Sequence, residues 1–324
     1  MSMIIVTGGA GFIGSAVIWM LNNKGFDNIL VVDQLGESRK WKNLVNRKYR
    51  DYIHKSAFLE SLEKHQFDGV DTIIHMGACS STTETDADYL MENNFHYSVT
   101  LATHALANNI RFINASSAAT YGNGSMGFRD DPATLHSLKP LNMYGYTKHL
   151  FDLWAVRSKA LKSLASLKFF NVFGPNEYHK GDMSSLVYKG FFQICEKGLL
   201  RLFKSTHQEY EDGGQRRDFV YVKDCAAIIG WLFENPSITG LFNVGSGNDR
   251  SWNDLAGALF SATEKTPQIE YIDMPEQIRK NYQNFTKADQ KKLKDAGCPI
   301  QCTRLEDAVS DYVVNYLQKE DPYL

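Results

Sequence analysis

Residues 4–14 read Ile-Ile-Val-Thr-Gly-Gly-Ala-Gly-Phe-Ile-Gly. Gly9, Gly11 and Gly14 satisfy G-x-G-x-x-G, and Gly8, Gly11 and Gly14 give the related G-x-x-G-x-x-G. An apolar run that enters such a turn and leaves it as an amphipathic pattern is a buried strand, a tight reversal and a helix. The glycines let backbone N–H groups approach a pyrophosphate at the positive end of that helix. Gly14 lets the helix pack closely on the strand. A glycine pattern alone is weak, because such turns often serve only geometry. Here it follows a strand, opens a helix and is followed by Asp33 at the end of the next strand, the spacing of an acid that holds a ribose 2′-OH. A dinucleotide site is the reading that uses all three features.

The rest of the first half continues the alternation. Ile4–Thr7, Ile29–Asp33, Thr72–Met76 and Arg111–Ser116 read as strands buried on both faces, with a further strand at Ser166–Asn171. Phe12–Asn23, Ser56–Lys64, Tyr89–Asn108 and Tyr144–Ala160 read as helices, and Gly25 is a plausible stop for the first. Strands alternating with helices predict an α/β fold, a doubly wound parallel sheet of the Rossmann type. Phe170–Gly181, rich in Gly, Pro, Asn and His, reads as a binding loop, and short strands at Arg217–Val222, Gly240–Val244 and Gln268–Ile272 mix with helices. The expected division is a cofactor-binding unit at 1–169, with returning segments at about 216–246 and 285–297. Segments 170–215, 247–284 and 298–324 form a smaller mixed α/β substrate-binding unit.

Composition removes several classes of function. Of 324 residues, 35 are Lys or Arg and 37 Asp or Glu, a net charge of -2 that argues against a binder relying on phosphate neutralisation along a duplex. The local pairs Arg39/Lys40 and Arg216/Arg217 suit a small anion. No stretch approaches the roughly 20 apolar residues of a membrane span, and the N-terminal apolar run is too short for a signal segment. Cys79, Cys195, Cys225, Cys298 and Cys302 are scattered, without zinc-ligand spacing, which fits reduced thiols in the cytoplasm. His65, His96 and His104 lack companions for a metal site, and His75 reads as structural.

Tyr144 and Lys148, four residues apart, share a helical face. A neighbouring ammonium would lower the tyrosine pKa from its usual ~10. Y-x-x-x-K is common on surface helices, but this one follows a strand ending in Ala115-Ser116-Ser117. Ser117 can donate to an oxygen that becomes a carbonyl, completing a Ser–Tyr–Lys hydride-transfer set.

Thr7–Gly14, Ser117, Tyr144 and Lys148 resemble the extended short-chain dehydrogenase/reductases, which mostly act on nucleotide sugars. The likeness sharpens at Gly77-Ala-Cys-Ser-Ser-Thr-Thr-Glu84, Ala115-Ser-Ser-Ala-Ala-Thr-Tyr-Gly122, His179-Lys-Gly-Asp-Met183 and Arg217-Asp-Phe-Val-Tyr-Val222. These are similar to the branch that epimerises ADP-linked glycero-manno-heptose at C6, an isomerase reaction supplying L-glycero-heptose for lipopolysaccharide. The resemblance implies transient oxidation to a ketone with tightly bound NADP, and opposed acid/bases at Tyr144 and Lys180. The alternative for Lys180 is a pairing with substrate phosphate. By the same resemblance the cofactor is held by Gly8, Gly11, Phe12, Ile13, Gly14, Asp33, Gln34, Lys40, Lys55, Met76, Gly77, Ala78, Cys79, Ser80, Asn93, Lys148 and Val172. Asp33 favours NAD, whereas Arg39, Lys40 and Lys55 can compensate a 2′-phosphate.

For the substrate, the resemblance implies Ser81, Asn171, Asp182, Lys189, Arg217 toward the diphosphate, Tyr282 closing over the ligand, and Phe203, Lys204, Ser205 and Thr206 in the ADP pocket. Asp182 and Lys189 depart from the Ser and His frequent in that branch, and Thr206–Gln215 is longer than usual. Family members are homo-oligomers, often pentamers. Three rivals stand beside this reading. A 4,6-dehydratase needs an acidic pair after the serine, where Ala118 and Ala119 stand. A UDP-hexose 4-epimerase needs only the common triad. A non-catalytic dinucleotide sensor commonly lacks the Tyr or Lys retained here.

Overall fold

Aliphatic runs without polar alternation become strands covered on both faces. In the computed structural model, which describes residues 2–64, 67, 69–279 and 282–324, every residue of Met3–Thr7 (β1) and Ile29–Asp33 (β2) is buried. The chain continues with Asp51–His54 (β3), Val70–His75 (β4), Arg111–Ser117 (β5), Leu164–Phe169 (β6), Asn171–Phe173 (β7) and Leu200–Phe203 (β8). Arg216–Tyr221 (β9), Gly240–Val244 (β10), Asp249–Ser251 (β11) and Ile269–Ile272 (β12) follow. Seven strands form a parallel sheet in the order β10-β6-β5-β4-β1-β2-β3. From β1 the chain winds outward through β2 and β3, then returns to β4 on the other side. The reversal opens a crevice at the carboxyl ends of β1 and β4, where ligands bind in open α/β sheets.

Helices cover both faces. One apolar cluster packs Ile4, Val6 and Val31 of the sheet on Val17, Leu21, Ile228 and Ile229, while a second packs Ile5, Val32 and Phe112 on Leu101 and Phe151. The helix Phe12–Asn23 ends where expected: Gly25 has φ +86, and its N–H bonds Asn22 O at 2.9 Å.

Several elements differ from the sequence reading, β8 and β11 among them as strands it does not contain. Ser166–Asn171 is not one strand: β6 ends at Phe169, and Phe170 N–H bonds Val244 O at 3.0 Å. Beyond it, β7 leaves for a separate three-stranded sheet, parallel to β9, with β11 antiparallel on the far side. The expected helix Tyr89–Asn108 is built as Ala87–Leu90, a π-helical turn Met91–His96 and Tyr97–Ala107. The turn shifts the face presented on either side of it, so that Asn94 meets Cys79 on the loop after β4 and Asn93 meets Lys55. The strand β3 was not foreseen; it is a half-exposed edge without an apolar run. β8 and β12 form a separate two-stranded parallel pair.

Candidate active site

The glycine turn is constrained by contact as well as by torsion. Gly8 has φ +63, and a Cβ there would come within 2.6 Å of Gly77 Cα on the loop after β4. A Cβ on Gly14 would collide with the carbonyl oxygen of Gly8, so Gly14 accommodates the turn itself more than the strand. The helix Phe12–Asn23 begins at Gly11 with no side-chain cap, leaving its first N–H groups toward the crevice. This cradle fits a dinucleotide pyrophosphate.

Asp33 is buried, accepting from Ala10 N–H at 2.9 Å and Gln34 N–H at 2.6 Å. Its Oδ1 also pairs with Lys40 Nζ at 2.6 Å. Lys55 donates to Asn93 Oδ1 at 2.6 Å. Burial, then the nearby Lys40 charge, pulls its pKa down. Every cofactor position inferred from the sequence, from Gly8 to Val172, lines one cavity of about 640 Å³.

Ser117, Tyr144 and Lys148 line the same cavity. Asn142 caps the helix Met143–Arg157 by accepting from Gly145 N–H at 2.8 Å, and a Cβ on Gly145 would lie 2.8 Å from Ala119 O. That close approach sets Tyr144 near Ser117, whose hydroxyl pulls against the burial that raises the phenol pKa. One turn on, buried Lys148 donates to Ala115 O at 2.7 Å. The expected lowering of the Tyr144 pKa does not occur. Desolvation pushes the phenol up and the Ser117 hydroxyl only partly offsets it. Lys148 is itself pulled to about 8 by burial. Two desolvated groups side by side each favour the neutral form.

Lys180, on the loop after β7, lines the same cavity, with Nζ 5.4 Å from the centre of the Phe12 ring. Burial lowers its pKa, against the opposing pull of Glu177. His179, lowered to about 4 by burial, is neutral beside it.

A second cavity, of about 770 Å³, adjoins the first, and Val172 and Met183 line both. It gathers Asn171, Asp182, Lys189, Phe203, Arg217 and Tyr282. Arg217 is 5% exposed, its guanidinium 4.9 Å from the Tyr282 ring and 5.8 Å from that of Trp252, whose Nε1–H bonds Tyr282 OH at 2.8 Å. Among the described residues no carboxylate pairs with it, and burial lowers its pKa. A desolvated guanidinium facing a cavity is a site for an anion.

Four inferred substrate positions sit elsewhere. Ser81 lines the first cavity, bonded to Thr83 Oγ1 at 3.1 Å. Lys204, Ser205 and Thr206 line neither: Lys204 pairs with Asp273 at 3.1 Å, and Ser205 Oγ donates to His207 O at 2.8 Å. That loop folds on its own side chains, so only Phe203, the last residue of β8, reaches inward.

Several site residues escaped the sequence reading. Asn94 clamps the loop after β4, accepting from Cys79 N–H at 2.8 Å and donating to Cys79 O at 2.9 Å. Trp252, Asn142 and Gln283 line the second cavity. Behind Ser117, Asp152 and Lys168 form a fully buried ion pair at 2.7 Å. His75 is structural: buried, bonded to Thr7 Oγ1 at 2.5 Å and Ser98 Oγ at 2.8 Å, and held neutral with its pKa pulled to about 3 by burial. Among the described residues no His, Cys, Asp or Glu group is placed to hold a metal; His65 lies outside them.

Residues 4–245 match the model of the NAD dependent epimerase/dehydratase family. The chain belongs to that family. Within it, the chain is 59% identical over 323 residues to an ADP-L-glycero-D-manno-heptose-6-epimerase of Nitratidesulfovibrio vulgaris strain DP4, covering 99% of this chain and 100% of the relative. An enzyme of the same name from Fusobacterium nucleatum is 48% identical, covering 99% and 100%. The crystal structure of the Helicobacter pylori ADP-L-glycero-D-manno-heptose-6-epimerase superposes with a TM-score of 0.80 at 24% identity, over 97% of this chain and 96% of that one. At that identity the superposition speaks for the epimerase/dehydratase fold. The family is NAD dependent by description, consistent with the cradle around Gly8.

Proposed function

We propose that this chain is an isomerase that inverts C6 of ADP-D-glycero-β-D-manno-heptose, giving the L-glycero epimer. One observation carries the reading: a single cavity is lined by Ser117, Tyr144, Lys148 and Lys180, and it shares Val172 and Met183 with the neighbouring cavity that holds the buried Arg217. The names of relatives up to 59% identical along the full chain support the substrate.

A nicotinamide dinucleotide bound in the first cavity supplies the reversible hydride acceptor. The chain's own groups handle the protons. The C6 oxygen occupies different positions in the two epimers, so inversion needs an acid/base on each side. Desolvation favours a phenol at Tyr144 and an amine at Lys180, so the pair is poised as one proton donor and one acceptor. Ser117 steadies the oxygen served by Tyr144, and Lys148, one turn along the same face, holds the ribose nearest the reacting carbon. Arg217 takes the diphosphate between Tyr282 and Trp252, with Asn171, Asp182 and Lys189 along the sugar. Phe203 walls the nucleotide end, and Lys204, Ser205 and Thr206 are left outside the substrate set.

We read the cofactor as NADP. Asp33, the group that would repel a 2′-phosphate, is already ion-paired with Lys40, and Lys55 adds positive charge nearby. The reading assigns 1–169 and the returning segments 216–246 and 285–297 to the cofactor and the remainder to the sugar nucleotide. It carries a homo-oligomer and a cytoplasmic setting, in keeping with five free cysteines. Tyr144→Phe and Lys180→Met are each expected to cripple epimerisation while cofactor stays bound. Near-normal turnover in either variant, or loss of cofactor from Lys180→Met, counts against the two-sided assignment.

A further inference from the structure

The loop carrying Lys180 is tied down from outside the cavity by residues 321–324. Asn176 has φ +77, a left-handed backbone that a non-glycine residue keeps only where its surroundings fix it. Its side chain and carbonyl are engaged: Nδ2 donates to Ser15 Oγ at 2.9 Å, Oδ1 accepts from Leu324 N–H at 3.0 Å, and its carbonyl accepts from Asn43 Nδ2 at 3.0 Å. Asn43 donates also to Ala10 O at 2.9 Å, so the joint reaches the glycine turn. Two residues on, Tyr178 donates its hydroxyl to Pro322 O at 2.5 Å and meets the Tyr323 ring edge-on at 5.1 Å. Arg47 donates to Leu324 O, and Asn46 to Asp321 Oδ2 at 3.0 Å. Leu324 is 7% exposed, packed into the main apolar cluster. Between the two tied residues, Glu177 accepts from Gly174 N–H and from Ser185, and its carbonyl accepts Lys180 N–H at 3.0 Å. Three consecutive residues, Asn176, Glu177 and Tyr178, are thus tied by side-chain or backbone bonds just ahead of His179 and the lysine.

We infer that residues 321–324 are a strap that positions Lys180 in the cavity it shares with Tyr144, with Asn176 and Tyr178 as the positioning residues through which it acts. The inference rests on the reading of Lys180 as the second acid/base. The strap's contacts fall on the lysine loop at Asn176 and Tyr178 and on the segment after β2 at Asn46 and Arg47, and reach the glycine turn only through Asn43, so releasing it frees the loop while the parallel sheet keeps its order. A freed loop admits water around Nζ.

The test uses the full protein with its cofactor, a variant lacking residues 321–324, and Tyr178→Phe, which removes one hydroxyl. Two readouts are taken: kcat and KM for the ADP-heptose, and the pH dependence of Lys180 acetylation by acetic anhydride, followed by peptide mass spectrometry. The strap predicts that in both variants the Lys180 labelling curve moves to higher pH, toward that of exposed lysines in the same digest. The kcat falls about tenfold for the shortened chain, and KM changes less than twofold. A Lys180 curve that stays at its wild-type position in both variants overturns the strap. Lys180→Met assayed alongside separates the two claims. Near-normal turnover there removes the acid/base assignment, and the labelling curves still decide whether residues 321–324 hold the loop.

Discussion

Replacing Lys168 with methionine tests whether the buried charges behind the reactive strand stabilise the protein as the geometry requires. Lys168 and Asp152 are both fully buried, 2.7 Å apart. The ammonium also donates to Thr120 Oγ1 at 2.6 Å and lies 4.8 Å from the Tyr121 ring centre. The carboxylate takes further bonds from Ser116 Oγ at 2.8 Å and Ser166 Oγ at 3.2 Å. Removing the lysine leaves those two hydroxyls facing a buried charge. Breaking a buried pair from one side costs about 3–5 kcal/mol, most of it from the charge left behind. At about 2 °C per kcal/mol for a chain of this length, the melting temperature falls by roughly 6–10 °C. The double variant Asp152→Asn/Lys168→Met no longer strands a charge and is expected to recover at least half of the loss. Urea unfolding of the four proteins of the cycle gives the coupling directly. A single-variant cost below about 1 kcal/mol, or a double variant no better than the single, refutes the argument.

Two further outcomes follow from the site. Lys148, pulled to about 8 in the fold, is nearer 10.4 when unfolded, so the unfolded state binds more protons between those values. The cofactor-free protein should therefore gain stability as pH rises from about 8 toward 10, and Lys148→Met should flatten that rise. Urea midpoints at pH 7.5 and 9.5 measure it, and equal slopes in the two proteins contradict the buried-lysine account. Lys40→Ala removes the cation paired with Asp33 and unmasks its charge; NADP affinity is expected to drop by about 1.5–3 kcal/mol, roughly ten- to hundredfold, with NAD affinity little changed. Equal losses for both cofactors in a calorimetric titration count against the role given to Lys40.

What was legible in the sequence is what short-range geometry dictates. The Gly8–Gly14 turn and Asp33 belong to one strand–turn–helix–strand unit, and Tyr144 and Lys148 share a face by helical period alone. Elements set by distant partners were not legible. Ser166–Asn171 reads as one strand because nothing local marks Phe170; the break exists because β7 must leave the parallel sheet to pair with β9. The π-helical turn at Met91–His96 interrupts a sequence whose apolar spacing suits a continuous helix. Lys180 is the clearest case. No spacing links it to Tyr144, and only the resemblance singled it out; the fold brings it into the same cavity on a loop bonded through Asn176 and Tyr178 to Leu324 and Pro322. The Tyr144 shift was misread for a related reason: spacing shows that an ammonium is near but not that burial outweighs it. Lys204–Thr206 were assigned inward on resemblance alone, whereas their longer loop bonds within itself.

The central claim is tested most directly by incubating the purified protein with ADP-D-glycero-β-D-manno-heptose, without added cofactor, and following the C6 configuration by NMR. Conversion to a mixture dominated by the L-glycero epimer is the predicted result, and it would show that the redox cofactor is retained and recycled at the Tyr144–Lys180 site. An unchanged C6 signal, even after NADP is supplied, would contradict the account and move UDP-hexoses to the front.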